Sequence, residues 1–164
     1  GQIHWSPVLF VRISKAGKCI GKKFASRYYD SFSYGALMYC VADGDMNVAF
    51  SSCADHTSLL PAPSHSVEEL DIETNVFEVQ KDGELIFGFP KVNYARMVPS
   101  GGELLKEMIE DAICKASKLT SLRIGDYMAV ELTPVCPLAG REEGEVSFKA
   151  TFCGNGLYDL KLIF

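Results

Sequence analysis

Four side chains in the first third of the sequence have the types needed for metal or acid–base chemistry: Asp43, Asp45, Asp55 and His56. Carboxylate oxygens suit a hard divalent cation, and an imidazole beside a carboxylate can move a proton. The plainer reading gives Asp43 and Asp45 to the turn around Gly44, and Asp55 and His56 to a solvated loop. Cys53 and Cys136 stand in loop-like stretches as candidate nucleophiles, but no basic partner is readable beside either, and thiol reactivity needs one. His4, just before Trp5, is a candidate ligand that lacks the matching cluster a metal site requires. No G-x-G-x-x-G, P-loop, G-x-S-x-G or H-E-x-x-H pattern occurs. Cys19, Cys40, Cys53, Cys114, Cys136 and Cys153 are never closer than 13 residues apart, which excludes C-x-x-C zinc or redox half-sites. With apolar neighbours around most of them, they read as reduced core residues of a cytoplasmic protein.

The elements that must position these residues belong to one domain over 1–164, since 164 residues suit a single hydrophobic core. Hydrophobic residues at 48% and charged residues at 23% are globular values. A net charge of −5 disfavours nucleic acid and anionic membrane as partners. The opening Gly1-Gln2-Ile3-His4-Trp5 has neither the basic nor the apolar region of a signal peptide, and no apolar run approaches membrane-spanning length.

Pro7 to Ile13 is a β-branched and aromatic run that predicts a buried strand, closed by a turn at Lys15-Ala16-Gly17-Lys18. A short helix is expected over 21–30, a strand over 32–42 and an irregular segment over 51–66. Ile72 to Val79 and Leu85 to Phe87 predict a hairpin about Lys81-Asp82-Gly83-Glu84. Ser100 and Glu103 have capping-box spacing, and Leu104, Leu105, Met108, Ile109, Ala112, Ile113 and Ala116 follow at helical period, so the main helix is placed at about 103–118. Strands are expected over 127–132, 145–152 and 157–163. Phe87-Gly88-Phe89-Pro90 and Val92 to Val98 look exposed and apolar, as a dimer interface would be.

Two stretches resemble the fumarylacetoacetate hydrolase family. Val11 to Ile20, then Phe24-Ala25-Ser26-Arg27-Tyr28-Tyr29-Asp30 and Tyr34-Gly35, is similar to the family's strand, G-K-x-I turn, helix and V-G strand. Leu122-Arg123-Ile124-Gly125-Asp126, Leu132-Thr133-Pro134, Gly140 to Gly144 and Tyr158-Asp159-Leu160-Lys161 are similar to its L-x-x-G-D, G-T-P and terminal strand series. The resemblance implies an α+β, β-rich fold with mixed sheets in a β-roll or barrel-like arrangement, usually a homodimer. It also implies a divalent metal and activity on small 2-oxo acids.

The same resemblance implies that the family's metal-binding E-x-E and Asp positions are here Ser6, Val8 and Leu37, that its lysine falls near Ser52, and that Thr133-Pro134 stands at its anion-cradling turn. Residues 1–29 contain no Asp or Glu, so no shift of register restores an acidic ligand to the first strand. A hydroxyl and two aliphatic chains cannot neutralise a dication. The expectation is therefore a protein without a cofactor that has lost metal-dependent catalysis and acts as a binding or structural protein. The alternative is a hydrolase, decarboxylase or isomerase of a small 2-oxo acid, rebuilt around Asp55, His56 and Thr133 and using Mg²⁺ or another divalent cation.

Overall fold

β1 (Gln2–Ile13) is the organising strand, because its two faces are both apolar and it pairs along both flanks. The structure, a computed structural model, describes residues 1–41, 57–89 and 101–164, the last stretch without the side chains of 101–103. On one flank β1 runs antiparallel to β2 (Tyr29–Val41) along nearly its whole length. On the other flank it meets β8 (Cys136–Gly140) near its start and β7 (Tyr127–Glu131) near its end. Pro7 falls between those two partners. Its carbonyl accepts from the Leu132 amide at 2.9 Å, so its hydrogen-free nitrogen faces the same flank, where neither ladder needs a donor.

Two-residue strands β3 (Ser58–Leu59) and β4 (His65–Ser66) add to β2 and complete a six-stranded sheet. Four further strands, β5 (Phe77–Lys81), β6 (Glu84–Phe89), β9 (Glu145–Phe152) and β10 (Asn155–Ile163), form a second sheet in the order β10-β9-β5-β6. The described ladders are all antiparallel, and the sheets are two open layers and not a closed barrel.

Alternation fills the layer between them. Trp5, Leu9 and Val11 of β1 and Phe32, Tyr34, Ala36 and Met38 of β2 meet Phe77, Val79, Phe87, Phe148 and Ala150 of the second sheet. Trp5 packs edge-on against Phe148 at 5.3 Å, and Tyr34 stacks on Phe77 at 5.1 Å. The helix α2 (Gly101–Leu119) buries Leu105, Ile109 and Ile113, a stripe four residues apart, with Leu104, Met108, Ala112 and Ala116 beside it. Ser100 and the capping box read there lie outside the described side chains.

The α+β architecture, the hairpin turn about Asp82-Gly83 and the main helix are as expected; five readings change. The hairpin's first strand begins at Phe77 and not at Ile72, because residues 72–74 form a turn in which the Asp71 carboxylate accepts from the Glu73 amide and the Thr74 hydroxyl. The short helix α1 covers only Lys22–Ala25, because from Tyr29 onward buried and exposed side chains alternate and the chain is already β2. The five described cysteines are not fully buried: Cys19, Cys40, Cys136 and Cys153 are exposed, Cys114 is half-buried, and these five are free thiols. Cys19 and Cys153 stand in turns with φ of 53° and 48°, which the local apolar neighbours did not reveal. Phe87 and Phe89 are buried on the inner face of β6, so they are not a dimer surface; Pro90 to Val98 lie outside the described residues. A strand at Cys136–Gly140 was not expected, since Pro137 and the flanking Gly140 mark a turn in a single-sequence reading.

Candidate functional site

The site that the sequence points to lies on the outer face of the β1–β2 pair. Residues two apart on a strand share a face, so Ser6 and Val8 project together from β1. In the antiparallel register Ser6 is opposite Leu37, Val8 is opposite Gly35, and His4 is opposite Tyr39. On the other flank Val8 is opposite Glu131. The three positions that the resemblance assigns to metal ligands are thus immediate neighbours on one face, with Tyr39, Gly35 and Glu131 around them.

Ser6 and Val8 are fully buried and Leu37 is half-buried. The Ser6 hydroxyl donates to the Thr133 carbonyl at 2.8 Å, which ties β1 to the turn after β7. Thr133 directs its own hydroxyl to the Pro134 carbonyl at 3.3 Å. The Tyr39 hydroxyl donates to Glu131 Oε1 at 3.0 Å. Burial raises the Tyr39 phenol to about 12, and the Glu131 carboxylate it bonds adds to that shift. Ser33, further along the same face of β2, is buried, and its hydroxyl has no hydrogen-bond partner among the described residues. Gly35 is required here: a Cβ would meet the Leu59 carbonyl oxygen and sit 2.7 Å from the Phe10 ring.

As a donor set for a hard divalent cation these residues do not fit. The Val8 and Leu37 side chains offer no oxygen or nitrogen, and the Ser6 hydroxyl, which donates its hydrogen to the Thr133 carbonyl, supplies a single neutral oxygen where a dication needs several charged ones. Among the described residues no group of three His, Cys, Asp or Glu side chains is placed to hold a metal ion. A cleft of about 210 Å³ opens beside β3, lined by Ser58, Leu59, Leu60, Pro61, Leu157 and Tyr158. Its lining comes from β3, at one edge of the first sheet, and from Leu157 and Tyr158 of β10, at one edge of the second, so the cleft lies where the two sheet edges meet. It is smaller than the usual ligand pocket of roughly 300–1,000 Å³.

Of the other candidates, His4 is half-buried within the β1 ladder and not on a loose terminus. Cys136 is an exposed thiol at the start of β8. Asp43, Asp45, Ser52, Cys53, Asp55 and His56 lie outside the described residues. Tyr39 and Ser33 were missed as site residues. The signal for both was available, since they lie two and four residues from Leu37 on the same strand face.

No family model and no curated protein matches the sequence. Solved structures do match its fold. A protein from Yersinia pestis CO92 assigned to the fumarylacetoacetate hydrolase family is 15% identical with a TM-score of 0.68, over 99% of this chain and 71% of that one. Maleylpyruvate hydrolase from Sphingobium sp. SYK-6 is 13% identical with a TM-score of 0.66, over 99% of this chain and 54% of that one. Fumarylpyruvate hydrolase from Pseudomonas aeruginosa, solved with Mn²⁺ and pyruvate, is 15% identical with a TM-score of 0.66, over 99% of this chain and 66% of that one. The chain therefore has the fold of fumarylacetoacetate hydrolase family proteins, as the sequence resemblance implied. It spans between 54% and 71% of the length of these structures.

Proposed function

We propose that this chain is a binding or structural protein built on the fumarylacetoacetate hydrolase fold, with the divalent-metal site replaced by packed side chains. One observation carries the reading. Ser6, Val8 and Leu37 occupy one face as the family's three ligand positions would, and together they supply a single hydroxyl that is bonded to Thr133. Loss of three carboxylates weakens a hard-cation site by orders of magnitude. Replacement by Val and Leu, in place of Asn or Gln, favours packing over any weaker coordination. Calorimetric titration with Mn²⁺ tests this: no saturable heat is expected at millimolar metal. Binding with a dissociation constant in the micromolar range would return metal-dependent catalysis to first place.

A second reading keeps the protein an enzyme of small 2-oxo acids, acting through residues other than Ser6, Val8 and Leu37. What favours it is the company of the fold, hydrolases of maleylpyruvate and fumarylpyruvate. The Tyr39–Glu131 pair on the same face gives it a proton donor and a carboxylate. Consumption of fumarylpyruvate by the purified chain, abolished by Glu131→Gln, would establish it.

A further inference from the structure

Charge along this sequence is divided unevenly. Residues 1–29 carry six cations and no carboxylate, while the other ten cations and all twenty-one carboxylates lie beyond, a net +6 against −11. The fold concentrates the first set further. After β1 the chain turns through Lys15 and Lys18 and is fastened to the segment following α2. Gly17 and Leu122 exchange backbone hydrogen bonds of 3.1 and 2.8 Å, and the Cys19 amide donates to the Ser117 carbonyl at 2.8 Å. These bonds bring Lys118 and Arg123 to the loop that carries Lys15 and Lys18. Lys23 and Arg27 follow on and just after α1, which packs against α2.

All six of these cations are exposed, and none has a carboxylate within ion-pair distance among the described residues. The acids nearby are engaged elsewhere. Asp30 pairs with Arg12 at 3.1 Å and Asp111 with Lys22 at 2.9 Å, with Glu107 and Glu110 acting on the same lysine. Asp126 accepts the Arg123 backbone amide at 2.8 Å.

Large apolar side chains stand between the cations. Phe24 is 42% exposed, Leu119 88% and Ile124 66%, each adjacent in sequence to Lys23, Lys118 or Arg123. Lys23 Nζ and the Arg27 guanidinium lie over the Phe24 ring at 4.8 and 5.5 Å from its centre. Exposed Leu, Ile and Phe are expected to be few on a surface that stays in water, and charged ones are expected to be paired or mixed in sign. This corner has neither property.

We propose that the surface formed by Lys15, Lys18, Lys23, Arg27, Lys118 and Arg123 around Phe24, Leu119 and Ile124 docks an acidic segment of another polypeptide, one in which carboxylates alternate with large apolar side chains. Its positive charge complements carboxylates, and Phe24, Leu119 and Ile124 each stand next in sequence to one of its cations, so a segment carrying both kinds of group meets a partner for each. An anionic membrane fits less well: its usual protein ligand is an amphipathic helix with a continuous apolar face, whereas these apolar groups come from three separate segments. Nucleic acid fits less well because the aromatic ring already carries two cations over it, and base stacking needs that ring. The surface begins beyond the end of β1, roughly 23 Å of strand from Ser6 at about 3.3 Å per residue, so it stands whether or not catalysis survives.

The test is fluorescence anisotropy with a labelled Glu-Glu-Leu-Glu-Glu-Leu-Glu-Glu peptide at low salt, about 50 mM. Lys18→Gln/Lys23→Gln is expected to weaken binding at least about fivefold, and Leu119→Ser/Ile124→Ser about threefold or more. Lys149→Gln/Lys161→Gln, an equal charge loss on β9 and β10, is expected to leave it unchanged. These side chains are exposed, so unchanged melting temperatures are expected and separate lost binding from lost folding. No binding by the unmodified chain, equal weakening by the control pair, or tighter binding to phosphatidylserine vesicles or a single-stranded oligonucleotide would overturn the proposal.

Discussion

The Ser6 hydroxyl, buried on β1, donates to the carbonyl of Thr133 in the turn after β7 at 2.8 Å. The first of the three positions that the resemblance assigns to metal ligands therefore serves here as a cross-link between a strand and a turn. Ser6→Ala removes that link and leaves a carbonyl without its donor, which is expected to destabilise the fold by about 1–2 kcal/mol. Urea denaturation checks this: the midpoint should fall with an unchanged slope.

Gly35 admits no side chain. A Cβ there meets the Leu59 carbonyl oxygen and the Phe10 ring, both held by the sheet. Gly35→Ala is expected to destabilise by about 2–4 kcal/mol, read as a lowered thermal midpoint, because backbone and a buried ring cannot both withdraw.

Alkaline pH should loosen the fold through its tyrosines. Burial raises the Tyr29 and Tyr39 phenols to about 12 and lifts Tyr34 and Tyr158 in the same direction. A phenol with a folded value above its unfolded value of about 10 stabilises the native state fully below pH 10. That stability is lost as pH rises through the folded values. Denaturation midpoints should hold below about pH 10 and fall steadily from there toward 12. Glu131→Gln removes the carboxylate that Tyr39 bonds, so the Tyr39 transition in ultraviolet absorbance should move to lower pH. A transition that does not move would show that burial alone sets it.

The parts of this structure legible in the sequence are those where one physical signal dominates. Leu105, Ile109 and Ile113 recur at helical period, and Asp82-Gly83 between alternating runs fits the tight hairpin turn that its φ values of 51° and 84° form. The N-terminal half of β1 was not legible, because Pro7 and Ser6 break the apolar run. Only the change of partner from β8 to β7 makes a proline tolerable there. Phe87 and Phe89 looked exposed because period alone does not say which face of a hairpin meets the core. For the site, the three positions came from the family resemblance, and their adjacency follows from the register of β1 on β2. Tyr39 and Ser33 share the face of Leu37 by the two-residue strand period alone, but the Tyr39 bond to Glu131 depends on how β1 pairs with β2 and β7, which no local pattern encodes.

The most direct measurement is the thermal midpoint of the unmodified chain with and without millimolar Mg²⁺, Mn²⁺ or Ca²⁺. A ligand that binds only the native state adds about 2.7 kcal/mol at a hundredfold excess over its dissociation constant, a rise of roughly 5–10 °C for a chain of this size. With Ser6, Val8 and Leu37 at the positions that the resemblance assigns to metal ligands, the predicted change is within about 1 °C. Ser6→Glu/Val8→Glu/Leu37→Asp should lower the midpoint without metal, since three carboxylates would then face one another, and added metal should restore part of the loss. A rise of several degrees in the unmodified chain would contradict the replacement of the metal site and make the chain a metal-binding protein.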